Sequence, residues 1–317
     1  MRFLVVGAGS WGTAFTRVLL DRGHDVVLAC RSPEQAETIA RTGWNPRYLQ
    51  GVDLSAAQAV PLADAHADVD VVVAAVPSSA FGEVVESLPG DSPVLSLVKG
   101  LDPETGERLS TRVRGRSVAV LSGPNIAEEI AEGLPTAAVI ASDDGFFAGQ
   151  LQHALNSSLF RAYVNPDVVG VELCAAAKNV IALAAGGVDG LRLGDNAKAS
   201  LIARGLAEMT RLGEAAGARP ETFAGLAGIG DLVVSCCSAK TRNRHAGELI
   251  AQGLTPERAV AEIGQTVEGL TTAPILRNLS HRLGVELPIT EGVCAVLSGQ
   301  SLTELAEGLM GRAPTEE

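Results

Sequence analysis

The opening twelve residues, MRFLVVGAGSWG, restrict the fold of this chain more than any other stretch. An apolar run at 3–6 meets Gly7, Gly9 and Gly12, and a helix-patterned segment at 13–20 begins at once. Strand, tight turn and helix start, in that order, make a dinucleotide-binding turn. The glycines have separate tasks: one allows the turn, one lets a pyrophosphate approach the backbone, and one lets helix and strand pack closely. The N–H groups of the helix's first turn then face the phosphates. Glycine-rich loops also recur for purely structural reasons, so the inference rests on this loop's place between a strand and a helix.

The same alternation continues along the chain. Residues 25–29 read as a second strand ending at Cys30 and Arg31, followed by a helix opened by Ser32 and Pro33. A looser segment, 42–58, holds Trp44, Asn45, Pro46, Tyr48 and Leu49. The β-branched run 69–76, closed by Pro77, suits a strand covered on both faces. Further strands are expected at 94–98, 118–121, 137–140 and 159–164, with helices between most of them. This pattern predicts an α/β, Rossmann-type doubly wound sheet over 1–165. Beyond Pro166 apolar residues recur at helical spacing as far as Met310, which predicts an all-α second domain over 166–317. The tail 312–317 is expected to be disordered.

A net charge of −12 argues against nucleic acid or an anionic membrane as the main partner. Any anionic ligand must therefore meet a local basic cluster. Five cysteines without CxxC spacing point to reduced thiols and a cytoplasmic protein, and the adjacent Cys236 and Cys237 read as small buried side chains. No leader is expected ahead of the first strand. The most apolar helical stretch, 174–188, is too short to span a bilayer and carries Lys178, so it reads as a buried helix rather than a membrane insertion. The five histidines show no metal-ligand spacing, and no metal is expected.

In an open parallel sheet, ligands gather beyond the carboxyl ends of the strands. Lys99, following the strand at 94–98, falls there, as do Ser122, Gly123, Pro124 and Asn125; an exposed loop charge is the plain alternative for Lys99. Lys178 stands among Ala175, Ala176, Ala177, Val180 and Ile181, beside Asn179. A lysine in that setting needs an anion nearby or a weakened hold on its proton, unless its stem snorkels to the surface. Either condition suits proton transfer. Asp231, in the apolar GIGDL, is a candidate partner for Lys178 or a cap for the next helix. The basic run 240–245, KTRNRH, opens a helix, and a helix N-terminus beside an arginine suits a phosphate as well as it suits a solvated turn. Arg31, at the end of the second strand, stands where an acid would accept from the ribose of NAD; an arginine there favours NADP(H), with NAD(H) still open because Glu34 lies close by.

Together these stretches resemble the NAD(P)-dependent sn-glycerol-3-phosphate dehydrogenases over nearly the whole chain. The motifs are GAGSWGTAF at 7–15, NPRYL at 45–49, VKGL at 98–101, GPNIAEE at 123–129, ELCAAAKNVIALAAG at 172–186, GDNAKA at 194–199, GIGDL at 228–232, KTRN at 240–243 and TVEGL at 266–270. The resemblance implies interconversion of glycerol 3-phosphate and dihydroxyacetone phosphate, an oxidoreductase step serving phospholipid synthesis. It makes Lys178 the general acid/base, with Lys99 and Asp231 around it. It assigns Gly7, Gly9, Ser10, Trp11, Gly12, Arg31, Lys99, Ala127, Arg242, Thr266 and Glu268 to the cofactor. Gly123, Asn125, Lys178, Asn179, Thr241, Arg242 and Asn243 fall to the substrate, together with Lys99 and Asp231. Asn125 departs from the Ser or Thr common in bacterial members and resembles the eukaryotic ones. Two other readings stand beside this one: a related two-domain NADPH-dependent hydroxy-acid or keto-acid reductase, and a catalytically inactive cofactor-sensing binding protein. The sequence leaves the assembly state open, a homodimer among the options.

Overall fold

The computed structural model describes residues 1–66, 68–88 and 90–302. The expectation for 312–317, and the end of the helical pattern toward Met310, lie outside them. The chain divides into two compact units, the first Met1–Ala175 with Gly217–Asp231 and the second Ala176–Ala216 with Leu232–Glu317.

The first unit carries β1 (Arg2–Val6), α1 (Ser10–Asp21), β2 (Asp25–Cys30), α2 (Pro33–Thr42), β3 (Gln58–Pro61), β4 (Val71–Ala74), α3 (Ser78–Ser87), β5 (Val94–Ser96), β6 (Val118–Ser122), α4 (Ala127–Ala131), β7 (Thr136–Ala141), α5 (Gly145–Leu155) and β8 (Phe160–Asn165). The strands form one sheet in the order β3-β2-β1-β4-β5-β6-β7-β8. The order reverses between β1 and β4, which is where an open sheet of this kind offers its ligand crevice. Alternate residues of β1 serve opposite cores: Phe3 and Val5 join Phe15, Leu19 and Leu151, while Leu4 and Val6 join Phe81, Val84 and Val85. Burial on both faces explains why these strands read as unbroken apolar runs.

Three differences from the sequence reading have local causes. The loose segment ends in a further parallel strand, β3, whose Gln-Ala-Val-Pro lacks a β-branched run; Pro61 is tolerated because the strand lies at the sheet edge. The sheet is mixed, because β7 runs antiparallel to β6. The strands at 69–76 and 94–98 shorten to β4 and β5; the apolar run outlasts β5 because Leu97 and Val98 stay buried beyond its end.

After β8 the chain is helical among the described residues: α6 (Val168–Gly190), α7 (Asp195–Ala215), α8 (Pro220–Phe223), α9 (Asp231–Cys237), α10 (Arg242–Ala251), α11 (Pro256–Ile263), α12 (Glu268–Leu283) and α13 (Pro288–Leu297). The units do not part at a single cut near 165, because α6 contributes to both and the segment Gly217–Asp231 returns to the first. The apolar stretch expected at 174–188 belongs to a helix of 23 residues, long and apolar enough by composition to cross a membrane. Its apolar window is 89% buried inside the protein, which makes it a core helix. Within the second unit, α10 approaches α6 so closely that a Cβ on Gly247 would lie 1.9 Å from the Leu183 carbonyl oxygen. None of the five cysteines is in a disulfide; Cys236 is buried as expected, but Cys237 is exposed, one position further round the helix.

Candidate active site

The glycine turn between β1 and α1 is shaped by contact distances. Gly7 has φ +111° and donates its N–H to Ala29 O at 2.9 Å. A Cβ on Gly12 would lie 1.8 Å from the Gly7 carbonyl oxygen, so only glycine fits there. A Cβ on Gly9 would meet nothing within 4 Å, so that position opens on space. Gly9 caps α1 without a side-chain bond, leaving the first-turn N–H groups of Ser10, Trp11 and Gly12 to whatever occupies that space. Trp11 meets Phe15 edge-on at 5.6 Å, and its buried indole N–H has no acceptor. Ala127, opening α4, packs on the same core as Trp11. A dinucleotide fits this turn: it would fill the space at Gly9 and bring acceptors to orphaned donors.

Asn45, which the sequence offered only as part of a motif, supports this loop. Its Nδ2 donates to Ala8 O at 3.0 Å and Thr13 Oγ1 at 2.8 Å, while its Oδ1 accepts from the backbone N–H of Arg47 and Tyr48. At the end of β2, Arg31 is exposed. Glu34 is bound by the hydroxyl of Ser32, and that bond lowers its carboxyl below the usual range.

A second cluster forms beyond the carboxyl ends of β5 and β6. Lys99 Nζ donates to Asp231 Oδ2 at 2.7 Å and to Gly123 O at 2.9 Å. Asp231, 2% exposed, begins α9, where a negative charge suits the helix dipole. Ser122, at the end of β6, reaches the same carboxylate oxygen at 3.5 Å. Gly123 has φ +140°, and this backbone turn sends Asn125 back across β7. Asn125 Nδ2 donates to Thr136 Oγ1 at 3.1 Å and Ala137 O at 3.0 Å, whereas its buried Oδ1 receives no donor. Burial, then the charges of Asp167 and Asp231, hold the nearby Cys174 thiol well above its ordinary pKa, so it stays protonated.

The second unit gathers the remaining predicted residues. Lys178 is 7% exposed on α6, and its Nζ donates to Ser235 Oγ at 2.8 Å. The carbonyl of Ser235 accepts from Thr241 Oγ1 at 2.7 Å, just ahead of α10. Asn179 Oδ1 accepts from Asn243 Nδ2 at 2.9 Å, and Asn243 Oδ1 accepts from Gly269 N at 2.9 Å. Arg242, exposed at the start of α10, donates to Thr266 O at 3.0 Å, two residues before Glu268 opens α12. One chain of hydrogen bonds thus joins Lys178 to Thr241 through Ser235, and another joins Asn179 to the start of α12. Ser235 was missed in the sequence; its signal was a hydroxyl one helical turn beyond Asp231.

An open turn for a dinucleotide in one unit and a buried lysine beside a helix start able to hold an anion in the other belong to the class of dinucleotide-dependent dehydrogenases. The family model described as NAD-dependent glycerol-3-phosphate dehydrogenase N-terminus matches residues 3–148, and that described as the C-terminus matches 167–306. The chain is 44% identical to glycerol-3-phosphate dehydrogenase [NAD(P)+] of Escherichia coli (strain K12 / DH10B), over 99% of this chain and 96% of that one. The crystal structure of glycerol-3-phosphate dehydrogenase from Coxiella burnetii superposes with a TM-score of 0.93 at 35% identity, covering 98% and 99% of the two chains. A ketopantoate reductase from Ralstonia eutropha shares the fold alone, at TM-score 0.61 and 18% identity over 96% of this chain and 100% of that one. This chain belongs to the NAD(P)-dependent glycerol-3-phosphate dehydrogenase family.

Proposed function

We propose that the chain reduces dihydroxyacetone phosphate to sn-glycerol 3-phosphate with NADPH as the preferred donor, supplying glycerol 3-phosphate for phospholipid synthesis. Glycerol-3-phosphate dehydrogenase [NAD(P)+] activity follows from family membership over the full chain. The first unit carries the dinucleotide-binding turn, and the second carries Lys178 and the start of α10.

When bound, the nicotinamide supplies or accepts the hydride exchanged at C2 of the substrate. Lys178 Nζ gives a proton to the C2 oxygen during reduction and takes it back in the reverse direction. The bond to Ser235 Oγ fixes the direction in which that amine points, and this is the observation that carries the reading. Lys99 and Asp231 set the charge around the reacting oxygen. The undonated Oδ1 of Asn125, with Gly123 beside it, suits a substrate hydroxyl. Arg242 and the first-turn N–H groups at the start of α10 hold the phosphate, in a turn fixed by Thr241, Asn243 and Asn179, and its binding energy orients C2. Gly7, Gly9, Ser10, Trp11, Gly12, Arg31 and Ala127 hold the cofactor, joined by Lys99, Arg242, Thr266 and Glu268. Cysteines outside any disulfide agree with a reducing compartment such as the cytoplasm, and a homodimer is the assembly to test first.

The test follows nicotinamide absorbance with dihydroxyacetone phosphate and each reduced cofactor in turn, with 2-keto acids offered at the same concentrations. Turnover of dihydroxyacetone phosphate, higher in kcat/KM with NADPH, is expected. Preferential turnover of a keto acid would overturn the substrate assignment, and cofactor binding without any turnover would support the sensing protein instead.

A further inference from the structure

Two buried carboxylates at the start of α6 have no part in the chemistry above. Asp167 precedes the helix and is 5% exposed; Glu172, in its second turn, is 3% exposed. Buried acids need bonded partners to offset their desolvation. Here the partners lie on the two segments that carry Lys99 and Asp231.

Glu172 Oε1 accepts from Ser110 N at 2.9 Å, and its Oε2 accepts from Ser110 Oγ at 2.5 Å and Arg108 Nη1 at 3.2 Å. Arg108 pairs with Leu101 in an antiparallel bridge, and Asp102 N donates to Glu107 O at 2.9 Å. Glu172 therefore grips the return arm of a hairpin whose outgoing arm follows directly from Lys99. Asp167 Oδ1 accepts from Gly170 N at 2.9 Å, so it caps α6. Its Oδ2 accepts from Arg219 N at 2.9 Å and Thr222 Oγ1 at 2.6 Å. From Thr222 the chain runs through the turn Leu226–Gly230 straight into Asp231. A Cβ on Gly170 would sit 2.2 Å from Asp167 Oδ2 and 3.0 Å from Thr222 Cγ2, so the position admits only glycine while this clamp is closed.

We propose that Asp167 and Glu172 are positioning residues: one helix start anchors both segments, and so holds Lys99 and Asp231 in the geometry the reaction uses. The inference rests on the reading of Lys99 and Asp231 as site residues. A helix cap and a loop staple that served stability alone would make the same bonds. The two cases differ in how mutations combine, because residues acting through one unit are not additive while independent ones are.

The experiment measures kcat/KM for dihydroxyacetone phosphate, and Kd for NADPH by fluorescence titration, in Glu172→Gln, Lys99→Met, Asp167→Asn, Asp231→Asn and the doubles E172Q/K99M and D167N/D231N. Glu172→Gln and Asp167→Asn should each lower kcat/KM about 10- to 100-fold, as misplacement of a reacting group does. NADPH Kd should stay within about twofold, and each double should lie within about twofold of its site mutant alone, the mark of a shared path. Multiplicative losses in the doubles, or unchanged kcat/KM in Glu172→Gln, would overturn the inference. Wild-type kcat/KM in Lys99→Met would instead remove Lys99 from the site, a separate and recognisable failure. Should Asp167→Asn fail to fold, Thr222→Val removes a single donor to the same carboxylate and replaces it in the cycle.

Discussion

Replacing Glu208 with glutamine should flatten the pH dependence of stability. Glu208 lies on α7, 3% exposed, and its carboxylate accepts from Ile289 N at 2.5 Å and from Thr290 N and Oγ1 at 3.4 Å. It thereby caps α13, which has no cap of its own from Leu287. Burial is the largest influence and raises the carboxyl from 4.5 to about 7, against the backbone bonds of Ile289 and Thr290 and the charge of Arg211. A carboxyl whose folded pKa is raised favours folding while it is protonated. Its contribution is full below the unfolded value of 4.5 and is lost as pH rises through about 7. Between about pH 5 and pH 8 the linkage integral gives a loss of about 2.5 kcal/mol. That corresponds to roughly 5–10 °C in Tm. Thermal denaturation followed by circular dichroism, at constant ionic strength across that range, should show the wild type losing this much more than Glu208→Gln, whose Oε1 still accepts from Ile289 N. Parallel pH profiles for the two proteins would refute the argument.

Lys178→Ala should lower kcat by about 10²–10⁴ while NADPH binding survives, and Lys178→Met, which keeps the stem, should do the same; near-normal turnover in steady-state assays would remove this lysine from the mechanism. Arg242→Ala should weaken binding of the phosphorylated substrate by about 1.5–3 kcal/mol and leave the slow reaction of unphosphorylated dihydroxyacetone almost unchanged. Equal losses on both would assign Arg242 to the cofactor or to structure. Gly12→Ala places a Cβ 1.8 Å from the Gly7 carbonyl oxygen, so the thermal shift on adding NADPH should vanish. Arg31→Ala should raise KM for NADPH by roughly tenfold and leave NADH little changed, since only the 2′-phosphate is lost as a partner. Equal falls in kcat/KM for both cofactors would mean that Arg31 stacks on the adenine they share.

The strands with two buried faces were legible because burial on both sides leaves apolar runs at 3–6, 71–74 and 118–121 in β1, β4 and β6. β3 was not, since an edge strand of four residues carries no such run. The reversal at β7 was equally hidden, because strand direction leaves no mark on composition. At the site, Gly12 and Lys178 announced themselves by being the wrong residue type for any bland setting: a glycine opening a helix and a lysine among alanines. Ser235, Asn45 and Glu172 did not, because their roles depend on partners 57, 37 and 62 residues away. Asp231 was read as a partner for Lys178 or a helix cap; its bond to Lys99 was not legible, because it depends on the return of Gly217–Asp231 to the first unit.

How the cations are held decides which of them meets an anion in a chain of net charge −12. Lys99 is ion-paired with Asp231, so most of its charge is offset and its value lies in placement. Arg242 is oriented by the Thr266 carbonyl, a neutral group, and keeps its full charge at the positive end of α10. The neighbouring side chains are already engaged. The Thr241 hydroxyl donates to the carbonyls of Ser235 and Ser238, and its own N–H donates to Ser238 O at 3.3 Å. Asn243 spans Asn179 and Gly269. The first intrahelical bond of α10 is His245 N to Thr241 O, which leaves the N–H groups of 242–244 as the first-turn donors. A phosphate at this helix start would therefore be bound by the Arg242 guanidinium and by backbone, while Thr241 and Asn243 fix the turn that presents them. This division places an arginine, whose fork suits phosphate oxygens, at a position of the run that is both exposed and oriented.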